Sequence, residues 1–230
     1  MQELEFLGCG GATNVEMGGN CAYLKHQNSL LLVDCCEDAT KKLLDKNLFN
    51  QIGNIFIALT HMHFDHIAGI GTLIWFCNFR LNIKPKIIIN SKTFKRKLIK
   101  LFKLGGVDLE RVEFIPQIDF AFDDLTLEMK RTNHAEELEC YGIMFKDNTG
   151  KYYYSGDTRD FENIKQLSLN EEIRTIYCEV SETSHGVHLC YDDIKTLNKE
   201  KFVLMHFNTK ELYEQIVKDG YKVAKIEKEI

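Results

Sequence analysis

The sequence predicts an α/β chain folded as a four-layer αββα sandwich, and three observations carry that expectation. Short apolar strand runs alternate with helical runs. The alternation happens twice, and each half opens on strands alone. Polar clusters rich in His and Asp recur where strands end, which places a site along one edge of the sheets. With 230 residues, 44% apolar and 27% charged, the chain can bury a sizeable core. Its 2 prolines and the lack of any spacer rich in Pro, Gly or Ser favour one domain over residues 1–230.

Taken in order, "LEFLGCG", "NCAYLKH" and "SLLLVDCC" read as strands separated by Gly and Asn clusters, followed by a helical run "EDATKKLLDKNLF". Next come the apolar "NIFIALT", a helix over "DHIAGIGTLIWFCNF", the strand "KPKIIIN", a basic helix and the strand "RVEFIP". Strands return with "LTLEMKRTNH", "CYGIMFK" and "KYYYSGD", the last two joined by "DNTG", a hairpin signal. The end is mixed: "TIYCEV", a helix near "YDDIKTL", "FVLMHFN", a helix "TKELYEQIVKDG" and a final strand "YKVAKIE". No repeat is visible between the halves at the level of sequence.

The N-terminal "MQELEFLGCG" has neither a basic head nor a long apolar run, and no apolar segment reaches about 18 residues. A cytoplasmic protein without a membrane segment is expected. The 8 cysteines are scattered without a CxxC, and the adjacent Cys35 and Cys36 suit buried, reduced thiols. A net charge of -5 argues against a surface built throughout to hold nucleic acid. The local exception is "SKTFKRKLIKLFKL", Ser91 to Leu104, with six positive charges and no acid. Phe94, Leu98, Leu101 and Phe102 share one face of that helix. A core-packed helix with a solvated basic face is the simpler reading, and contact with phosphates is the alternative.

The stretch that carries chemistry is "LTHMHFDHIAGI", Leu59 to Ile70, where His61, His63, Asp65 and His66 fall within six residues. Extended backbone through His63 points His61 and His63 to one side, where both can reach one metal ion. Asp65 and His66 follow at the start of a helix, placed for a second ion. Two ions need about seven or eight protein ligands, so further His and Asp are expected at later strand ends. "KRTNHAEE" supplies His134, "YYYSGDTR" supplies Asp157 and "KFVLMHFN" supplies His206. His26, in the polar turn "LKHQNS", lies outside any such setting.

THxHxDH, a lone His, SGDT and a late strand-terminal His, in this order across essentially the whole chain, resemble the metallo-β-lactamase fold hydrolases. The resemblance implies that His61, His63 and His134 bind one divalent ion and that Asp65, His66 and His206 bind the other. Asp157 would bridge them, together with a hydroxide that serves as nucleophile, and Asp65 counts among the catalytic residues. Zinc is the default for such a set, with manganese and iron as alternatives. Asp157 stands where secreted β-lactam hydrolases carry Cys, and His63 where flavodiiron proteins carry Glu. "TNHAEE" is unlike the Gly-His-Thr-Pro-Gly-His run of glyoxalase-like and lactonase-like members.

"LEFLGCGGA", "LLLVDCCEDATKKL", "YGIMF" and "YYYSGDTR" instead resemble ribonuclease Z and its phosphodiesterase relatives. In that group the segments matching "IYCEVSE" and "GVHLCYDDIK" carry a Glu and a His near the metals, here Glu179 and His188, with His185 as the rival histidine. A carboxylate holding an imidazole there makes a general acid or a donor to a phosphoryl oxygen. Ribonuclease Z inserts a long tRNA-gripping arm between its third His and the bridging Asp, whereas Ala135 to Gly156 is only 22 residues, most of them in the hairpin. A small-molecule or nucleotide phosphodiester is therefore the expected substrate, and tRNA processing is not favoured. Ester, thioester or lactone hydrolysis and a non-catalytic metal-binding module are the alternatives, and a homodimer stays open.

Overall fold

The computed structural model describes residues 3–183 and 186–225. Its first sheet has strands in the order β1 (Glu5–Gly8), β2 (Cys21–His26), β3 (Ser29–Val33), β4 (Asn54–Ala58), β5 (Lys86–Ile89) and β6 (Glu113–Pro116). β1, β2 and β3 are antiparallel neighbours, and from β3 to β6 the pairing is parallel. The second sheet holds β7 (Thr126–Thr132), β8 (Cys140–Asp147), β9 (Gly150–Tyr154), β10 (Ile173–Glu179), β11 (Phe202–Met205) and β12 (Lys222–Val223), again neighbours in chain order. It repeats the wiring: antiparallel through β9, then parallel to β12. The expected β-then-α halves are thus two copies of one topology, and together with the flanking helices they make the metallo-β-lactamase fold.

Burial follows the pairing. In β4, flanked by parallel strands on both sides, Ile55 to Ala58 are all buried, as a strand covered on both faces requires. β7, at a sheet edge, alternates buried Leu127 and Met129 with exposed Glu128 and Lys130. The sheets share a core in which the Tyr177 ring lies 6.0 Å from Phe6, and the Tyr177 hydroxyl accepts the Leu4 N–H at 3.0 Å.

The helices are α1 (Ala39–Asp45), α2 (Phe64–Ile67), α3 (Ile70–Phe76), α4 (Lys92–Leu104), α5 (Phe161–Leu169), α6 (Tyr191–Ile194) and α7 (Lys210–Lys218). α4 is the basic helix, capped by Ser91, whose hydroxyl accepts the Thr93 and Phe94 N–H groups. It buries Phe94, Leu98 and Phe102 and keeps most of its cations on the other face. The one helix expected over "DHIAGIGTLIWFCNF" is broken into α2, α3 and a π-turn, Cys77–Leu81. Gly69 explains the first break: a Cβ there would lie 2.0 Å from the Cys36 carbonyl oxygen, and the Gly69 N–H donates to Cys35 O. α5 was not expected from the sequence, and the final strand contracts to Lys222–Val223.

Among the described residues no helix is long and apolar enough to cross a membrane. All eight cysteines are free thiols, and all but Cys190 are buried. Burial pushes the Cys9 and Cys77 thiols up to about 12.

Candidate metal centre

The candidate site lies beyond the ends of β4, β7, β9, β10 and β11, drawing on both sheets. Past β4 the chain leaves the sheet through Thr60, and His63 is extended (φ -66°, ψ 148°) before α2 begins. His61, His63, Asp65 and His66 therefore follow one another around a single turn. His134 follows β7, Asp157 follows β9, Glu179 ends β10, and His206 follows β11 in a left-handed conformation (φ 60°). Such backbone is rare outside glycine and concentrates where function holds it in place.

These side chains form two adjoining clusters. In the first, His61 Nε2 lies 2.9 Å from His63 Nδ1, and His134 Nε2 lies 3.2 Å from the same atom. Asp157 Oδ2 is 3.8 Å from His61 Nε2 and 3.7 Å from His134 Nε2. In the second, His66 Nε2 is 3.3 Å from both Asp65 Oδ2 and Asp157 Oδ1. His206 Nε2 is 3.4 Å from Asp65 Oδ2 and 3.5 Å from Asp157 Oδ2. Asp157 belongs to both clusters and is 2% exposed.

The donor set fits metal ions. Ligand atoms about 2.0–2.1 Å from a tetrahedral zinc sit about 3.3 Å apart, which is the spacing seen here. His66 Nε2 and Asp157 Oδ1 are buried without a hydrogen-bond partner, a costly state unless something else engages them. Burial holds His61, His63 and His134 below the ordinary imidazole range, so their lone pairs are available. Burial alone would raise the Asp157 carboxyl, but His206 and His66 beside it hold it well below the usual carboxylate range. Either cluster could therefore hold a divalent ion.

Three of the imidazoles, those of His61, His66 and His134, are oriented from behind. His134 Nδ1 donates to the Val187 carbonyl at 2.7 Å. His66 Nδ1 donates to Asp34 Oδ2 at 2.8 Å. Asp34 also accepts the Thr60 N–H at 2.7 Å, and the Thr60 hydroxyl bridges Asp34 Oδ2 (2.9 Å) to His61 Nδ1 (3.0 Å). One buried carboxylate thus positions a histidine of each cluster. Asp34 is the site residue that sequence reasoning missed; its one signal is an Asp ending the apolar run "LLLVD", and its own φ is positive at 65°.

His188 and Glu179 lie together. His188 Nδ1 donates to Glu179 Oε2 at 2.8 Å, and Glu179 is fully buried, its Oε1 accepting the Thr158 N–H at 2.7 Å. Burial and the neighbouring Asp157 push the Glu179 carboxyl up, against the pull of His206. The His188 ring lies 4.9 Å from that of His134 and 5.5 Å from that of His206, between histidines of the two clusters. Its rival His185 lies outside the described residues. His26 stands apart, paired with Asp123.

Comparison with known proteins bears on the fold and the family. The metallo-β-lactamase fold protein YhfI from Bacillus subtilis superposes with a TM-score of 0.73 at 19% identity, covering 96% of this chain and 94% of its own. Ribonuclease Z of Archaeoglobus fulgidus is 27% identical over 157 residues, 65% of this chain but 50% of that enzyme. The anti-Pycsar protein Apyc1 of Paenibacillus harenae is 25% identical over 221 residues, 89% of each chain. The ribonuclease Z likeness is real but partial, whereas the model of the family described as Anti-Pycsar protein Apyc1 matches residues 2–228. With its motif order, fold and whole-length match in agreement, the chain belongs to the Anti-Pycsar protein Apyc1 family.

Proposed function

We propose that this protein is a two-metal phosphodiesterase acting on small nucleotide phosphodiesters rather than on tRNA precursors. The observation that carries the reading is Asp157, shared by two ligand clusters, with the His188–Glu179 pair beside both. In this assignment His61, His63 and His134 would hold one ion, Asp65, His66 and His206 would hold the other, and Asp157, which belongs to both clusters, would serve both. Zinc suits the ligand set, and manganese or iron would also fit. When bound, such ions acidify water and polarise phosphoryl oxygens.

The chain's own residues do the rest. Glu179 fixes the Nδ1–H of His188, which leaves Nε2 to face the substrate and to give its proton to the leaving oxygen as the P–O bond breaks. Asp34 and Thr60 keep His66 and His61 aimed inward. The short β8–β9 hairpin between His134 and Asp157 supports a small substrate, since it leaves no chain for a tRNA-gripping arm. The sequence family speaks against tRNA processing, because the sequence match that spans nearly the whole chain is to anti-Pycsar proteins, whereas that to ribonuclease Z of Archaeoglobus fulgidus covers 65% of it.

The test is elemental analysis followed by a substrate panel. Protein reconstituted with zinc or manganese should hold close to two ions per chain and hydrolyse bis(p-nitrophenyl) phosphate faster than thioester, lactone or β-lactam substrates. Faster thioester or lactone turnover would transfer the site to carboxylic ester chemistry. Efficient 3′ cleavage of precursor tRNA at physiological salt would restore the ribonuclease reading.

A further inference from the structure

A cleft of about 280 Å³ opens beside the second cluster, and Asp65 and Phe64 both line it. Its opposite end is the loop from Gly8 to Gly19. That loop lies on the metal centre, since a Cβ added to Gly11 would stand 3.2 Å from His206 Cε1. The cleft therefore adjoins the candidate reaction centre at Asp65 and Gly11.

Two features of the lining do not suit a phosphate. Phe64, held between the candidate ligands His63 and Asp65, is 74% exposed, and Val15, also in the lining, is 76% exposed. Leaving such side chains in water forgoes the stabilisation their burial would bring. The ionisable groups of the lining are all acids, Glu37, Asp38 and Asp65, and Lys42 beside Gly18 is already paired with Asp38 at 2.8 Å. An anion belongs with the ions, and this cleft would repel it. An uncharged heterocycle meets an apolar face, and Glu37 offers its N–H donors a carboxylate acceptor. The volume lies just under the span of ligand clefts, about 300 to 1,000 Å³, so it suits one ring system.

We propose that this cleft is the nucleobase pocket of the site and that the Phe64 ring is its stacking face. The proposal rests on the phosphodiesterase reading for its choice of substrate. Every base has a π-face, so stacking on Phe64 would set affinity for nucleotides over other diesters without strict selection among bases.

The experiment compares metal-loaded wild type, Phe64→Ala and Phe64→Trp on two substrates: the methyl diester of a nucleoside 5′-phosphate and the methyl diester of ribose 5-phosphate. Phe64→Ala should raise KM for the nucleoside diester by about 5–150-fold more than for the abasic one, the span of ~1–3 kcal/mol measured for base stacking. The change should fall on KM more than on kcat, and Phe64→Trp should restore it. Metal content by elemental analysis separates this from damage to the neighbouring ligands. An unchanged KM ratio between the two diesters overturns the pocket. Calorimetry with a nucleoside 5′-monophosphate reads the same contact without turnover. If wild type cleaves neither diester, the phosphodiesterase reading fails, and calorimetry alone decides the pocket. Weakening of Kd by the same factor in Phe64→Ala upholds the proposal; equal Kd values, or no binding by wild type, overturn it.

Discussion

The two sheets share one wiring and divide the site unequally. In the first half a single turn after the fourth strand, β4, presents His61, His63, Asp65 and His66. In the second half the candidate ligands are scattered one to a strand end: His134 after β7, Asp157 after β9 and His206 after β11. The third strand of each half runs into a buried aspartate, Asp34 after β3 and Asp157 after β9. Asp157 stands between the clusters, while Asp34 stands behind them, holding His66 directly and His61 through Thr60. Equivalent places in a duplicated topology thus carry different work. In the proposed assignment one half would supply a dense set of ligands with its own support, and the other the bridge and the acid.

The comparison breaks most sharply at Asp157. Asp157→Ala removes the one carboxylate common to both clusters and leaves His66 Nε2 and His206 Nε2 without it. Elemental analysis should show one or both ions lost, and turnover should fall to background. A fully active variant retaining two ions would show that the second half does not supply the bridge.

The fourth strands differ in the same way: β4 leads through Thr60 into His61, and β10 ends in Glu179, which holds His188. His188→Ala should slow turnover of a phosphodiester with a poor alkoxide leaving group by about 10²–10⁴-fold, the range of general acid catalysis. A nitrophenyl diester, whose leaving group needs little protonation, should lose much less, and metal content should stay unchanged. Equal losses on both substrates would make His188 a donor to a phosphoryl oxygen, and loss of metal would make it a ligand.

What was legible in the sequence follows the same division. The first-half motif is local, four candidate ligands within six residues, so it is read without knowing the fold. His134, Asp157 and His206 were legible because each is a lone His or Asp where an apolar run stops. Asp34 meets that description too, but its partner His66 is 32 residues away and the interaction is a matter of packing, invisible in spacing. α5 escaped for another reason. Of its residues only Ile164 and Ser168 are buried, one of them polar, so the apolar signal is weak; its start is set instead by Asp160, whose carboxylate accepts the Asn163 N–H at 3.1 Å. The duplicated wiring was hidden because sheet topology is fixed by pairing, which two unrelated sequences can share.

The finest edge of the comparison is Asp34 itself. If it serves only to aim histidines, Asp34→Ala should weaken metal affinity or activity by about 10–100-fold, the usual cost of losing such an outer partner, and not abolish either. Asp34→Asn should be milder, because its one side-chain oxygen in the place of Oδ2 can still accept from His66 Nδ1 and the Thr60 hydroxyl, at the cost of the Thr60 N–H contact to Oδ1. Chelator competition measures the affinity, and a thermal melt of the metal-free protein separates it from lost folding, since Asp34 is fully buried. A loss in Asp34→Ala as complete as that of Asp157→Ala, in a protein that still melts cooperatively, would mean that the two aspartates are equals and that Asp34 is more than a support.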